Sequence, residues 1–398
     1  MFAGKNASTE IICMAAEGSP DAKSSPGQKI DEGDGTTGLI PVRYEYTPLL
    51  PEILQFAGVT VLVSTYQAGK VLALGSHSGQ VTVSFCHFDR AMGLAVDRTR
   101  LAIGTRRQIH FLKSAPELGP RMSPAGTRDG CWLPRFSFYT GNVHGHELAW
   151  GSDGLWLCNT LFSTLCTLHE DFSFVPRWRP PFITELQAED RCHLNGLAMQ
   201  DGRPRFVTAM AESNEPAGWR STKSTSGCVI DVPSGETVAR GLAMPHSPRL
   251  YDGKLWVLHS GSGELGTVDS QSGRYDAVER VPGYTRGLAF AGQFAFVGLS
   301  KIRETSIFGG VPIAENRESL KCGIAVVDLR TGKSIAAFQF FTGVEEIFAI
   351  EVIPQRNAHI QGPSRDLDDE AHDVWLAPPP GSKVAPEPPG SIYGRAGA

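Results

Sequence analysis

Six stretches decide the fold: RAMGLAVD (90–97), HGHELAW (144–150), HLNGLAM (193–199), HSPRLYD (246–252), YTRGLAF (284–290) and VEEIFAI (344–350). Aligned on Leu94, Leu148, Leu197, Leu250, Leu288 and Phe348, they recur at spacings of 54, 49, 53, 38 and 60 residues. Such a loose period suits four-stranded propeller blades with insertions. Each stretch is read as the innermost strand of a blade. Outward from each anchor come second strands, RLAIGTR, GLWLCNT, RFVTAMA, KLWVLHS and FAFVGLS, and then third strands, of which ELGTVDSQSG and CGIAVVDLRTG are the clearest. The runs are short, rich in β-branched residues and ended by Gly, Asp, Asn or Ser, and helical periodicity is nearly absent.

The sixth anchor has no strands after it, because the chain runs into a Pro-rich tail. Three strands before Leu94 lack an anchor of their own: VTVLVSTY (59–66), KVLALGS (70–76) and VTVSFCHF (81–88). They supply the missing strands of the last blade, so both ends meet in one sheet and no open edge is left. The expected fold is all-β, a six-bladed β-propeller over residues 45–355 closed by its own N-terminal strands. GLAM (241–244) is an alternative anchor for the fourth blade; Leu250 is preferred because DGKLWVLHSG then falls on the second strand. Residues 1–44 and the tail 356–398, with DLDDEAHD and APPPGSKVAPEPPGS, have too little apolar surface to offset ordering entropy and are expected to be disordered.

Bulk properties exclude some functions. The 398 residues carry a net charge of −5, so there is no basic footprint for nucleic acid and no polybasic membrane anchor. No stretch approaches a membrane-spanning length, and MFAGKNASTEIICMAAEG lacks the basic and apolar regions of a secretory signal. Eight scattered cysteines without a CxxC pair read as reduced thiols, and the protein is expected in the cytoplasm. Its partner is expected to be a small-molecule ligand; oligomeric state has no sequence signature.

The strings CHLNGLAM (192–199), GWR (218–220), MPHSPRLYDGKLWVLHSG (244–261) and HELAW (146–150) resemble a bacterial family of conserved proteins described only as a domain of unknown function with propeller-like repeats. The resemblance covers about residues 45–355 and implies a propeller without adding an activity. A looser likeness links the chain to six-bladed propeller enzymes: gluconolactonase-like hydrolases, streptogramin lyases and peptide-amidating lyases. That likeness is one of fold alone.

A propeller gathers the starts of its inner strands around one axis, so residues distant in sequence become neighbours. Four residues before the anchors stand Arg90, His144, His193, His246, Tyr284 and Val344; two before stand Met92, His146, Asn195, Pro248, Arg286 and Glu346. Histidine at one position in three successive blades admits three readings. His144, His193 and His246 could hold a divalent metal, zinc, iron or manganese, with a coordination position open for catalysis. They could bond backbone groups and lock the blades together. They could also bind an anionic substrate directly. The peptide-amidating lyases are similar in having a three-histidine metal with Tyr and Arg nearby, which Tyr284, Arg286 and Arg90 could match. His146 is out of step with the triplet.

Glu346 and Tyr284 are candidate proton-transfer groups. Arg286, Arg90 and Arg249 could clamp a carboxylate, or pair with Glu147, Glu345 or Glu346. Asn195 fits a ligand contact or a turn. Two long connections, 213–226 and 301–321, should emerge where the inner strands begin, and Trp219 and Arg220 in the first could cover a ligand. His259 and Asn159 end second strands and could form a supporting shell. No P-loop, GxGxxG before a helix, GxSxG elbow or HExxH occurs in the chain. Beside a structural role inside a biosynthetic assembly, on which the sequence gives no handle, two functions remain. One is a metal-dependent lyase or hydrolase acting on a small anionic polar molecule at the channel mouth. The other is a non-catalytic module binding a peptide or sugar.

Overall fold

The computed structural model describes residues 7–12, 41–302 and 310–363. Five sheets of the propeller follow chain order, each antiparallel and four strands deep at its core. Their inner strands are Leu94–Asp97, Gly145–Gly151, Leu194–Gln200, Pro245–Tyr251 and Tyr284–Ala291, which define blades one to five. In the sixth, Ala349–Ile353 pairs with Thr60–Thr65, which leads to Lys70–His77 and Gln80–His87. The last inner strand thus closes on strands from the other end of the chain, as the unanchored strands require.

The sheets extend past the expected boundaries on both sides. Pro41–Tyr46 pairs with Lys333–Thr342, the outer strand of blade five, and Ala7–Ile12 pairs outside it. Ala358–Ile360 adds in parallel to Gly130–Tyr139 at the outer edge of blade one. Of the two expected tails, residues 1–6, 13–40 and 364–398 lie outside the described residues. A helix, Leu50–Ala57, stopped by Gly58 in the left-handed region, packs Leu50, Ile53 and Leu54 against blades five and six. No helix among the described residues is long and apolar enough to cross a membrane.

The core lies between blades. Alternate residues of facing sheets interleave, as where Cys158 and Leu165 of blade two meet Leu194, Val207 and Ile230 of blade three. Hydroxyls at the ends of second strands reach the start of the next blade: Ser64 donates to Met92 O (2.6 Å), Thr160 to Leu194 O (2.6 Å) and Ser300 to Ile347 O (3.2 Å). These bonds join blade six to one, two to three and five to six.

Candidate ligand site at the channel mouth

The inner strands begin at one face and there enclose a cavity of about 310 Å³. His144, His146, His193, His246, Trp219, Arg220, Tyr284, Arg286 and Glu346 all line it, together with Tyr66, Arg106 and Asp190. Residues from blades two to six therefore converge where the sequence placed them.

The register in blade four differs from expectation. Leu250 pairs with Leu255, as Trp150 pairs with Leu155, whereas Leu148 pairs with Leu157. Leu250 is thus the counterpart of Trp150, two residues beyond the intended anchor. Backbone conformation agrees: Arg90, His144, His193 and Met244 each adopt a positive φ between 48° and 52° at the start of their blades. Met244 stands where the other blades put His144 and His193. A strand's hydrophobic pattern repeats every two residues, so a slip of two leaves it unchanged. His246 is therefore equivalent to His146, not to His144 and His193.

The two equivalent histidines make the same contacts. Nδ1 of His146 lies 2.9 Å from His144 O and 2.8 Å from Thr160 Oγ1; Nδ1 of His246 lies 3.0 Å from both Met244 O and Ser260 Oγ. Burial, then the charges of neighbouring His193 and Arg286, depresses both imidazoles well below the usual 6.5, so they are neutral. His193 is held differently. Its Nδ1 lies 3.0 and 2.9 Å from the two carboxylate oxygens of Asp190, and Trp219 Nε1 donates to Asp190 Oδ2 at 3.2 Å. The His193 ring is packed between Trp219, at 4.3 Å, and His146, at 4.8 Å. Asp190 and His193 both have positive φ, that of His193 being the one blades one to four repeat at this position and that of Asp190 belonging to this turn.

Arg286 is the cation at the centre of the site. Its side chain is only 12% exposed and its Cζ lies 3.4 Å from the centre of the Phe348 ring. Glu346 stands 3.6 Å away, an ion pair beyond hydrogen-bond length. Among the described residues the guanidinium makes no hydrogen bond, and its buried Nη2 has no partner. Tyr284 is buried, its hydroxyl 3.8 Å from Met244 Sδ, and burial raises its pKa so that the phenol keeps its proton.

Other expected site residues lie apart from this cavity. Arg90 stacks on Tyr66. Arg249 is committed to Glu147, at 3.1 and 3.2 Å, and to Glu351 at 3.7 Å. Burial pushes Glu351 up to about 7, because one guanidinium cannot neutralise two carboxylates. Asn195 accepts a hydrogen bond from Thr208, and His259 accepts one from Ala243 N while facing Glu264 at 3.4 Å. Asn159 accepts from Phe162 N, closing a turn. Among the described residues, no group of three or more His, Cys, Asp or Glu side chains is placed to hold a metal ion. The register makes His246 the counterpart of His146, so His144, His193 and His246 are not one position repeated in three blades, although all three line the cavity. Sequence reading missed Asp190, although the spacing DRCH (190–193) puts a carboxylate and an imidazole at either end of one turn.

The fold and cavity together define a six-bladed β-propeller with a small pocket at one channel mouth, its apolar wall set with histidines and arginines. The chain belongs to the family described as Domain of unknown function (DUF4915), whose model matches residues 48–360. No curated protein matches it. Among solved structures, it is similar at 11% identity to a chain in a crystal structure of a nidogen/laminin complex, over 75% of this chain and 99% of that one, with a TM-score of 0.44. A protein of unknown function from Bacteroides caccae gives 11% identity, coverages of 74% and 98%, and a TM-score of 0.44. TolB from Acinetobacter baumannii gives 12%, coverages of 74% and 66%, and 0.43.

Proposed function

We propose that the channel mouth binds a small organic anion and acts on it as a lyase or hydrolase by general acid–base chemistry. The observation that carries this reading is Arg286, a nearly buried guanidinium with no hydrogen bond among the described residues, lining a cavity of ligand size. A buried donor group left unfilled is costly, and a carboxylate or phosphate would fill it with charge-assisted bonds. The lining carries Arg106, Arg220 and Arg286 against Asp190 and Glu346, a balance that favours an anion.

Proton transfer falls to His193. Asp190 fixes Nδ1, which orients Nε2 for use as a base, and the carboxylate stabilises the imidazolium that results. Tyr284, held protonated, is a donor and not a base. The metal-dependent form of this function, with zinc, iron or manganese on His144, His193 and His246, is not the one proposed, because among the described residues no group of three or more His, Cys, Asp or Glu side chains is placed to hold a metal ion.

The test is a titration of the full chain with carboxylates of two to six carbons and with inorganic phosphate. Arg286→Met should weaken the best of them by about 10- to 100-fold, the value of a hydrogen bond to a charged group. Equal binding by wild type and variant would refute the proposal. If the same anion binds but NMR detects no change in it over days, the protein is the binding module and not the enzyme.

A further inference from the structure

Resting on that anion-binding reading, we propose that the ligand is a polyhydroxylated carboxylate, whose hydroxyl groups donate hydrogen bonds to Nε2 of His146 and of His246. His144 O and Met244 O are carbonyls and can only accept, so the Nδ1 facing each must carry the proton. At His146 the hydroxyl partner agrees, because Thr160 spends its own proton on Leu194 O and can only accept from Nδ1. Each ring is neutral, so Nε2 is left with a lone pair. Neither Nε2 has a hydrogen bond among the described residues, and both rings line the cavity.

Two acceptors beside one unfilled cation set the ligand's chemistry. A carboxylate oxygen satisfies Arg286 but cannot satisfy an imidazole lone pair, since both are acceptors. The rest of the ligand must therefore present O–H or N–H donors, at least two of them, toward blades two and four. Hydroxyls fit better than an ammonium group, because the lining has three arginines against two carboxylates and disfavours a further positive charge. The volume, about 310 Å³, sits at the small end of ligand pockets and suits a molecule of a few carbons, not a peptide. The repeated arrangement supports the same conclusion. Blades two and four hold their histidines through a carbonyl two residues back and a hydroxyl fourteen residues on, so the two lone pairs are presented by one device used twice.

Calorimetric titration of the full chain with gluconate and with hexanoate, equal in carbon number, tests this. Gluconate should bind at least about 10-fold more tightly, the return on two hydrogen bonds. His146→Phe and His246→Phe should each narrow that gap by about 3- to 10-fold. The wild-type comparison stands even if a variant fails to fold. Nitrogen-15 spectra should in addition show both rings of the wild-type protein as the Nδ1–H tautomer. Equal affinity for the two acids would overturn the polyhydroxylated ligand while leaving the anion reading intact; binding of neither acid, nor of any other anion, would remove both. Tighter binding of 6-aminohexanoate than of gluconate would overturn the choice of hydroxyl over ammonium. Stoichiometric uptake of Zn²⁺ alone, lost in His146→Phe, would overturn the proposal by giving the lone pairs to a metal.

Discussion

The Asp190 carboxylate grips Nδ1 of His193 through both oxygens, at 3.0 and 2.9 Å, within a turn whose two end residues are both left-handed. Non-glycine residues enter that region at a cost, and a pair of them three apart persists only where the surroundings enforce it. Trp219 supplies the enforcement from the 213–226 connection, donating to the same carboxylate and packing its ring, tilted by 40°, against the imidazole.

That relationship predicts a tautomer. His193 should be Nδ1–H at pH 8.5, and Asp190→Ala should return it toward the Nε2–H form by removing its acceptor. Long-range proton–nitrogen correlation spectra read this without knowledge of the substrate. The same substitution should cost about 1–3 kcal/mol in denaturant unfolding, since Trp219 Nε1 also loses its partner. An unchanged tautomer would mean that Asp190 does not position His193.

Stability should depend on pH in two opposed ways. The folded-state pKa values of His146 and His246 lie well below 6.5, so below pH 6.5 the unfolded chain takes up protons that the folded one refuses, and stability falls as pH falls. Glu351 is raised to about 7 from 4.5, so between those values the folded chain holds a proton that the unfolded one has lost, and stability falls as pH rises. Melting temperature should therefore pass through a maximum near neutrality. Glu351→Gln should flatten the alkaline limb and raise stability at pH 8 by about 1–3 kcal/mol, the neutral amide replacing an uncompensated charge. A larger alkaline decline in the variant would contradict this account.

Much of the fold was legible because propeller blades write their period into the chain. Strand-ending Gly and Asp residues, the GLA anchors and the orphan strands before Leu94 were sufficient to place six blades and their closure. The outer additions at 41–46 and 358–360 were not legible, since a strand added at an edge carries no repeat of its own. In the site, the convergence of His144, His193, Arg286 and Glu346 followed from blade alignment alone. The phase of blade four did not, because alternation cannot detect a slip of two, and that slip put His246 with the wrong partners. Arg249 shows another limit: sequence offers a carboxylate clamp or, slightly favoured, an ion pair with one of three glutamates, and only Glu147 at 3.1 Å decides it.

Gly298 ties the site to the sheet behind it. A Cβ there would collide with the Arg286 carbonyl and lie 2.8 Å from Ile347 Cγ2. Backbone cannot yield as a flexible side chain does, so Gly298→Ala must displace the strand that carries Arg286. We expect a loss of about 1–3 kcal/mol in stability, together with weaker anion binding than the loss of stability alone would cause. Calorimetry well below the melting temperature separates the two effects; unaltered affinity in the folded variant would mean that Arg286 tolerates the shift.

Closure of the ring concentrates on Ser64. Its hydroxyl donates to Met92 O at 2.6 Å, in blade one, and accepts from Ala349 N at 3.0 Å, in the strand returning from the far end of the chain. Its carbonyl accepts from Phe348 N at 2.8 Å. One fully buried side chain thus joins the first blade to both halves of the last. Ser64→Ala keeps the backbone bond and the volume within one atom, yet leaves Met92 O and Ala349 N without that partner. Two buried groups so exposed should cost about 2–4 kcal/mol together. Ser300 makes the corresponding bonds between blades five and six, to Ile347 O and from Ile347 N, but at a junction also held by continuous chain. Ser300→Ala is therefore expected to lose stability without opening the ring, whereas Ser64→Ala should also speed amide exchange selectively in Thr60–Thr65 and Ala349–Ile353. Exchange that rises equally in all six blades would show that closure is no weaker than the joints the chain itself makes.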